Sequence, residues 1–299
     1  MQYNRSSFFA ACALAATLAF VSTAASAKAA LVDILGQLGQ ASAYTVFSMA
    51  GTFQNDSLVT INGDVGVGPN GSINVASPSK INGTLYVDPT ASKSGSGQVT
   101  GGTQTRNLQQ AVNDAINASS FFNSLSATQT LSSISSAITI TGNGGNNVIN
   151  LSGGINLGGS NNLTLSGGAN DRFIFNITGG LQMNGSAAVV LTGGVQAQNV
   201  VFNFVGSGDS LMTHVGNMVR GVILAPDRDI TFHGAFGEII GGGNSLTLMS
   251  GATVTGFTNV PEVTPASVIF GFLGLIVAVS SRRALMARFR TAAAAGSLS

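Results

Sequence analysis

The chain has 299 residues, of which 40 are glycine and only 8% are charged, and its formal net charge is +1. Residues 28–260 hold seven Lys/Arg against ten Asp/Glu, so this region has no basic field with which to grip nucleic acid. The mean hydropathy of +0.36 would suit a multi-span membrane protein, yet no apolar run in that region nears the ~20 residues a spanning helix needs.

The N-terminus reads as a signal peptide over residues 1–27. Arg5 supplies a positive start, "FFAACALAATLAFV" an apolar middle, and Ala25-Ser26-Ala27 a small-residue cleavage site. The single cysteine, Cys12, falls inside this peptide, which leaves the mature chain with neither a disulfide nor a cysteine nucleophile or ligand.

Residues 28–259 are expected to form one domain, since the composition is uniform from Leu31 to Phe257. "SLVTINGDVGVGPNGSINV" and "SKINGTLYV" alternate apolar residues such as Val59 and Ile61 with polar ones, and Asn-Gly breaks the runs, which is strand–turn–strand patterning. The stretch 105–125 differs. Leu108, Val112, Ala115, Ile116, Ser119, Phe122 and Leu125 recur at helical spacing, with Thr105 placed to cap the start and Asn113 and Asn117 on the opposite, wet side. Beyond it, "LTLSGGANDRFIFNI" at 163–177 is echoed by "VVLTGGVQAQNVVFNFV" at 189–205 and begun again by "LTLMSGATV" at 246–254. Paired strands around a Gly-Gly corner, repeating every 20–30 residues, predict the coils of a β-solenoid, with a Gly-rich β-sandwich as the competing fold.

"LGQASAYTVFS", "INGDVGVGP", "LQQAVNDAINAS", "GGANDRFIFNI", "VVLTGGVQAQNVVFNF" and "GVILAPDRDITFHGAFGEIIGGG" follow one another in an order that resembles the ice-binding-like and choice-of-anchor-A families of bacterial surface proteins. Over Leu38–Gly256 the resemblance implies a mainly β fold, a right-handed β-solenoid with one long α-helix packed along its side.

A second resemblance lies at the C-terminus. Val260-Pro261-Glu262, then an apolar stretch, then Arg282-Arg283, is similar to a PEP-CTERM sorting signal. That likeness implies an inner-membrane helix over 260–283, an exosortase-type enzyme as processing partner, and delivery to the surface of a Gram-negative-type bacterium. The 19 uncharged residues Val263–Ser281 would reach about 28 Å as a helix, close to a ~30 Å hydrocarbon core. The arginines, with the tail 284–299, would hold that end in the cytoplasm. Val263 stands where a second Pro is usual, and sixteen residues follow the arginines.

Little in the sequence suggests chemistry. His214 and His233 are the only histidines and lack carboxylates at metal-ligand offsets. Asp227-Arg228-Asp229 and Asp171-Arg172 read as solvated turns with local ion pairs, and no metal, cofactor or catalytic residue is expected. An ice-binding surface would need small residues in register. Thr139 and Thr141 share one strand face, and Thr164 and Thr247 recur in "LTL" segments, without a repeated T-x-T ladder. The expectation is an exported, membrane- or surface-anchored, non-enzymatic protein with an adhesive or biofilm role, its partners the membrane, the processing enzyme and exopolysaccharide or other surface components. The alternatives are an ice-binding protein and a polysaccharide-acting β-helix enzyme.

Overall fold

The computed structural model describes residues 30–257. The signal peptide with Ala25 and Ala27, the sorting residues Val260, Pro261, Glu262, Arg282 and Arg283, and the tail 284–299 lie outside the described residues.

The chain turns through three short strands per coil. Val46–Ser48, Thr52–Asn55 and Thr60–Asn62 occupy three successive faces, and Val65–Val67, Ser72–Val75 and Lys80–Ile81 repeat them one coil on. Phe53 sits beside Ile73 and Ile61 beside Ile81, each in parallel register. Every ladder among the described residues is parallel. A sandwich of hairpins would need antiparallel pairs, so the structure is a β-solenoid-like coil. The Asn-Gly pairs are therefore corners and not hairpin tips. At Asn62-Gly63, the glycine adopts φ +137° and the chain passes to a new face.

The coils do not stack in chain order. Residues 46–105 build one block, and the long helix Gln109–Ser124 then carries the chain to the far end of the rod. From Gln129–Leu131 a second block winds back until its last coil meets the first one. Ala235–Gly241 pairs with Val46–Ser48, Ser245–Leu248 with Thr52–Asn55, and Thr253–Thr255 with Thr60–Asn62. Inside, alternate residues interdigitate. Phe175 stacks on Phe202 with ring centroids 4.9 Å apart, and Phe232 on Phe236 at 4.6 Å. With no disulfide in this region, such apolar stacking and the parallel ladders must hold the fold.

The helix spans about 24 Å at 1.5 Å per residue and covers one face of the coil. Leu108, Ala111, Ala115, Ala118, Ser119 and Phe122 are buried, and Asn113 and Asn117 are exposed as expected. Two expectations fail. Ile116 is 46% exposed, because the buried stripe runs 108–111–115–118–122 and position 116 lies a 100° step around from Ala115. Thr105 ends the strand Thr103–Thr105 and does not cap the helix. Its start is satisfied from the coil below, where the Asp88 carboxylate accepts the Leu108 N–H at 2.9 Å, and by Asn107, which accepts from Gln109 N–H at 3.0 Å. Burial pushes the Asp88 pKa up, but hydrogen bonds from Leu108 and Thr90 outweigh it and hold this carboxyl below the usual range.

Beneath the helix C-terminus, Asn150, Asn176 and Asn203 lie in register on successive coils. Each amide donates to the next along the row, Asn203 to Asn176 at 2.9 Å and Asn176 to Asn150 at 3.2 Å. Asn176 also donates to Phe122 O at 2.8 Å and Asn203 to Ser119 O at 2.9 Å. Carbonyls near the helix end thus find donors in the solenoid, so packing and capping come from one row.

Glu238 is buried near the last described residue. Its Oε1 accepts the Phe257 N–H at 3.3 Å, and its Oε2 has no partner. Burial pushes its pKa up to about 8, against the lowering effect of that one hydrogen bond. The native state therefore favours the protonated acid, whereas the unfolded chain ionises near 4.5. Stability should fall as pH rises from about 4.5 to about 8, by on the order of 3 kcal/mol at pH 7. Glu238→Gln should abolish that loss. Melting temperatures of both proteins at pH 5 and pH 8 check this, and parallel pH profiles would rule the assignment out.

Candidate functional site

The coil has three faces, and the helix covers one. A second carries Ile138–Thr141, Asn162–Ser166 and Ala188–Thr192 at one end. Here Thr139 stands beside Thr164, and Thr141 beside Ser166 and then Thr192. The rows do not continue. The register shifts between Val219 and Val222, and exposed Arg220 and Lys80 place charges on this face.

The third face is an eight-stranded parallel sheet running from Ile155–Leu157 through Ser245–Leu248 and Thr52–Asn55 to Ser92–Ser94. Its ladders show no register shift. Residues such as Phe53, Ile73, Leu246 and Phe232 point inward and are buried, so their neighbours at i±1 face water. One outward row runs Thr231, Thr247, Gln54, Asn74, Ser94, and beside it a second runs Ser245, Thr52, Ser72, Ser92. No residue in either row is charged.

Strands about 4.8 Å apart, with outward residues every second position, place these hydroxyls and amides on a grid of about 4.8 by 6.6 Å. The Asn74 amide donates to Gln54 at 3.2 Å, which ties one pair of rungs together. The grid straddles the junction between the two blocks, so Ser245 and Thr52 become neighbours across nearly the whole domain.

Of the threonines singled out in the sequence, only Thr247 belongs to this face. Thr139, Thr141 and Thr164 share the broken face. The sequence reading missed Thr231, Thr52, Ser72, Ser92 and Ser245. Their signal is a hydroxyl residue two places before a small polar one: Thr52-x-Gln54, Ser72-x-Asn74 and Ser92-x-Ser94, twenty residues apart.

The chemical candidates resolve into structural roles. His214 is exposed, while His233 Nε2 meets the Ser250 carbonyl. No cluster of metal-ligating side chains occurs among the described residues. The expectation of solvated turns fails at both acidic corners. Asp171 is 2% exposed and accepts from Gly144 N–H, Gly145 N–H, Gly168 N–H and the Asn147 amide at 2.6–3.2 Å. Burial alone would raise its pKa, but these donors win and hold it below the usual carboxylate range. Arg172 bonds the carbonyls of Val32 and Ala169. Arg228 is 1% exposed and donates to four backbone carbonyls. Asp229 accepts from Ser245 N–H at 3.1 Å, and Asp227 is exposed.

Fold and face together define a parallel β-coil that presents an uncharged lattice of hydroxyl and amide groups. The sequence profile of the ice-binding-like family matches residues 21–249, and the chain belongs to that family. An ice-binding protein from an Antarctic biological consortium superposes with a TM-score of 0.56 at 22% identity, over 73% of this chain and 90% of that one. A glycosylated ice-binding protein from an Arctic yeast gives 0.54 at 22% identity, covering 76% of this chain and 96% of that one. An ice-binding protein from an Antarctic bacterium of the Flavobacteriaceae gives 0.52 at 26% identity over 73% of this chain, which spans 46% of that longer one. A search of curated proteins finds no significant match. The family overturns the expectation of an adhesive or biofilm role, which rested on a resemblance to surface proteins in general. These matched proteins are named for ice binding, none for a catalytic activity.

Proposed function

We propose that this protein binds ice, and that it does so through the two outward rows of the eight-stranded face. The observation that carries the reading is the grid itself: nine hydroxyl or amide side chains from five coils in unbroken register. Ice presents a rigid, uncharged lattice of water. A matching surface must hold first-layer water in lattice-like positions without the tight hydration shells that charged groups impose. Residues anchored on a β-ladder lose little conformational freedom on contact, so the interaction forfeits little entropy.

The reading includes the right-handed winding implied by the family resemblance, export through residues 1–27, and membrane attachment through 260–283 with processing by an exosortase-type enzyme. These rest on the sequence patterns around Ala25 and Ala27, and on Val260-Pro261-Glu262 with Arg282-Arg283.

A tyrosine at position 231 or 247 would stand above the grid and hold the face off a flat lattice. Thr231→Tyr and Thr247→Tyr are each expected to lose most of the gap between melting and freezing points, measured by nanolitre osmometry. Both threonines lie on the outward side of the sheet and are half-buried, and surface substitutions change stability by about 0.5 kcal/mol. Thr164→Tyr, on the broken face, should retain the gap. If Thr164→Tyr loses activity and the other two keep it, the site lies on the other face.

A further inference from the structure

Past Thr231, at the end of the sheet remote from Ser94, the eight-stranded face changes character. A groove of about 630 Å³ opens there along the edge shared with the helix-covered face. Its floor is a pair of stacked glycine corners. A side chain on Gly154 would come within 2.5 Å of Gly180 O, so the backbone itself forms a flat bed. One side is lined by Asn156, Gln182 and Met212, in register on successive coils.

Beside the Gly180 corner the lining continues with Asp209 and Ser210, from an enlarged corner. Other corners on this edge, such as 152–154 and 178–180, take three residues, whereas 205–210 takes six. An exposed loop of glycine and serine would ordinarily be mobile, but Arg228 fixes this one from beneath. Its guanidinium donates to Gly206 O at 2.6 Å, Asp209 O and Val205 O at 3.0 Å, and Thr178 O at 2.7 Å. Gly208 has φ +157°, and a Cβ there would lie 2.4 Å from the guanidinium, so the loop is closed tightly over its support. A buried cation thus holds a solvent-facing wall in one shape, which is how binding sites are pre-organised.

The polar groups that line the groove have capacity to spare. Elsewhere, amides on neighbouring rungs bond one another, as in Asn74–Gln54 and Asn82–Asn62. Asn156 and Gln182 are neighbours in register, yet among the described residues their side chains make no hydrogen bond, and neither do those of Ser133, Ser135 and Ser210. The lining therefore offers two carboxamides and three hydroxyls, each able to donate and accept, with Asp209 as the one charged side chain and an acceptor only.

We propose that this groove binds a neutral oligosaccharide. Vicinal hydroxyls need mixed donors and acceptors, which the carboxamides and serines supply. Asp209 accepts from a hydroxyl pair and repels anionic sugars and phosphates. The flat glycine floor and Met212 suit the apolar face of a pyranose ring. Its lining residues come from four successive turns, which at about 4.8 Å each give the groove a length of about 14 Å, room for two or three rings. Its volume lies in the usual range for ligand sites. The site adjoins the ice-facing rows, Met212 standing beside Thr231 in register, but shares no residue with them.

The test is calorimetric titration of the full-length protein with cellotetraose and, separately, with tetragalacturonate. Saturable binding of the neutral sugar is expected, with a Kd of order 1 mM, and none of the anionic one. Gln182→Ala and Asp209→Asn should each weaken it about tenfold or more with unchanged melting temperature and unchanged ice activity. No saturable heat with cellotetraose, equal binding of tetragalacturonate, or full affinity in both variants would each overturn the proposal. Loss of ice activity in Thr247→Tyr with sugar binding intact would show the two sites to be independent.

Discussion

Replacing Arg228 by alanine is expected to destabilise the protein by roughly 3–5 kcal/mol. Four backbone carbonyls, of Thr178, Val205, Gly206 and Asp209, share this guanidinium as donor. Removing the side chain leaves them facing a void beneath their own loop. A buried acceptor without a partner costs about 1–3 kcal/mol, and the loop can recover part of that by opening to water. Arg228→Lys should recover only part of the loss, because an ammonium cannot match the planar fork that reaches carbonyls on several sides. In a domain of this size a shift of roughly 10 °C in melting temperature is the scale to look for. Near-equal melting of wild type and Arg228→Ala would mean that the loop is not held by these bonds.

Phe122→Ala should cost about 3–5 kcal/mol, combining lost apolar transfer with the cavity left behind. Phe122 is fully buried, in a cluster with Val148, Ile174, Val201 and Val222 from the helix-covered face. Its backbone carbonyl is held by Asn176, so the helix end cannot readily collapse into the space. Asn117→Ala, on the exposed side of the same helix, should be neutral or slightly stabilising. Melting curves of the two variants decide the matter, and equal shifts would mean that the helix does not depend on docking.

Much of the fold was legible because its periodicities are local. Alternation in "SLVTINGDV" marks strands, and the spacing of Leu108, Ala115 and Phe122 marks the helix. The echo of "FIFNI" in "VVFNF" marks stacked coils, since Phe173–Ile177 does lie beside Val200–Phe204. The seam was not legible. Thr52 pairs with Ser245 across nearly two hundred residues, and parallel ladders are written in backbone groups that every residue shares. For the same reason Arg228 reads as a surface turn residue: its acceptors are carbonyls 19 to 50 residues upstream, with no side-chain signature. Of the two uncharged rows on the eight-stranded sheet, only Thr247 stood out in the sequence. Threonine alone does not tell the faces apart, because Thr164 and Thr247 both sit in "LTL" but belong to different sheets.

The reversed stacking of the two blocks also decides which segments form the tips of the rod. In a solenoid wound in one direction, the first and last coils are the tips. Here the first coil and the last are ladder neighbours instead, and Ser245–Leu248 is the fifth of eight strands in the open sheet. The two free edges of that sheet are Ile155–Leu157 and Ser92–Ser94, the strands of the sheet that flank the long helix in the sequence. The places where a further strand could add are therefore written in the middle of the domain's sequence, on either side of the helix, and not at its ends.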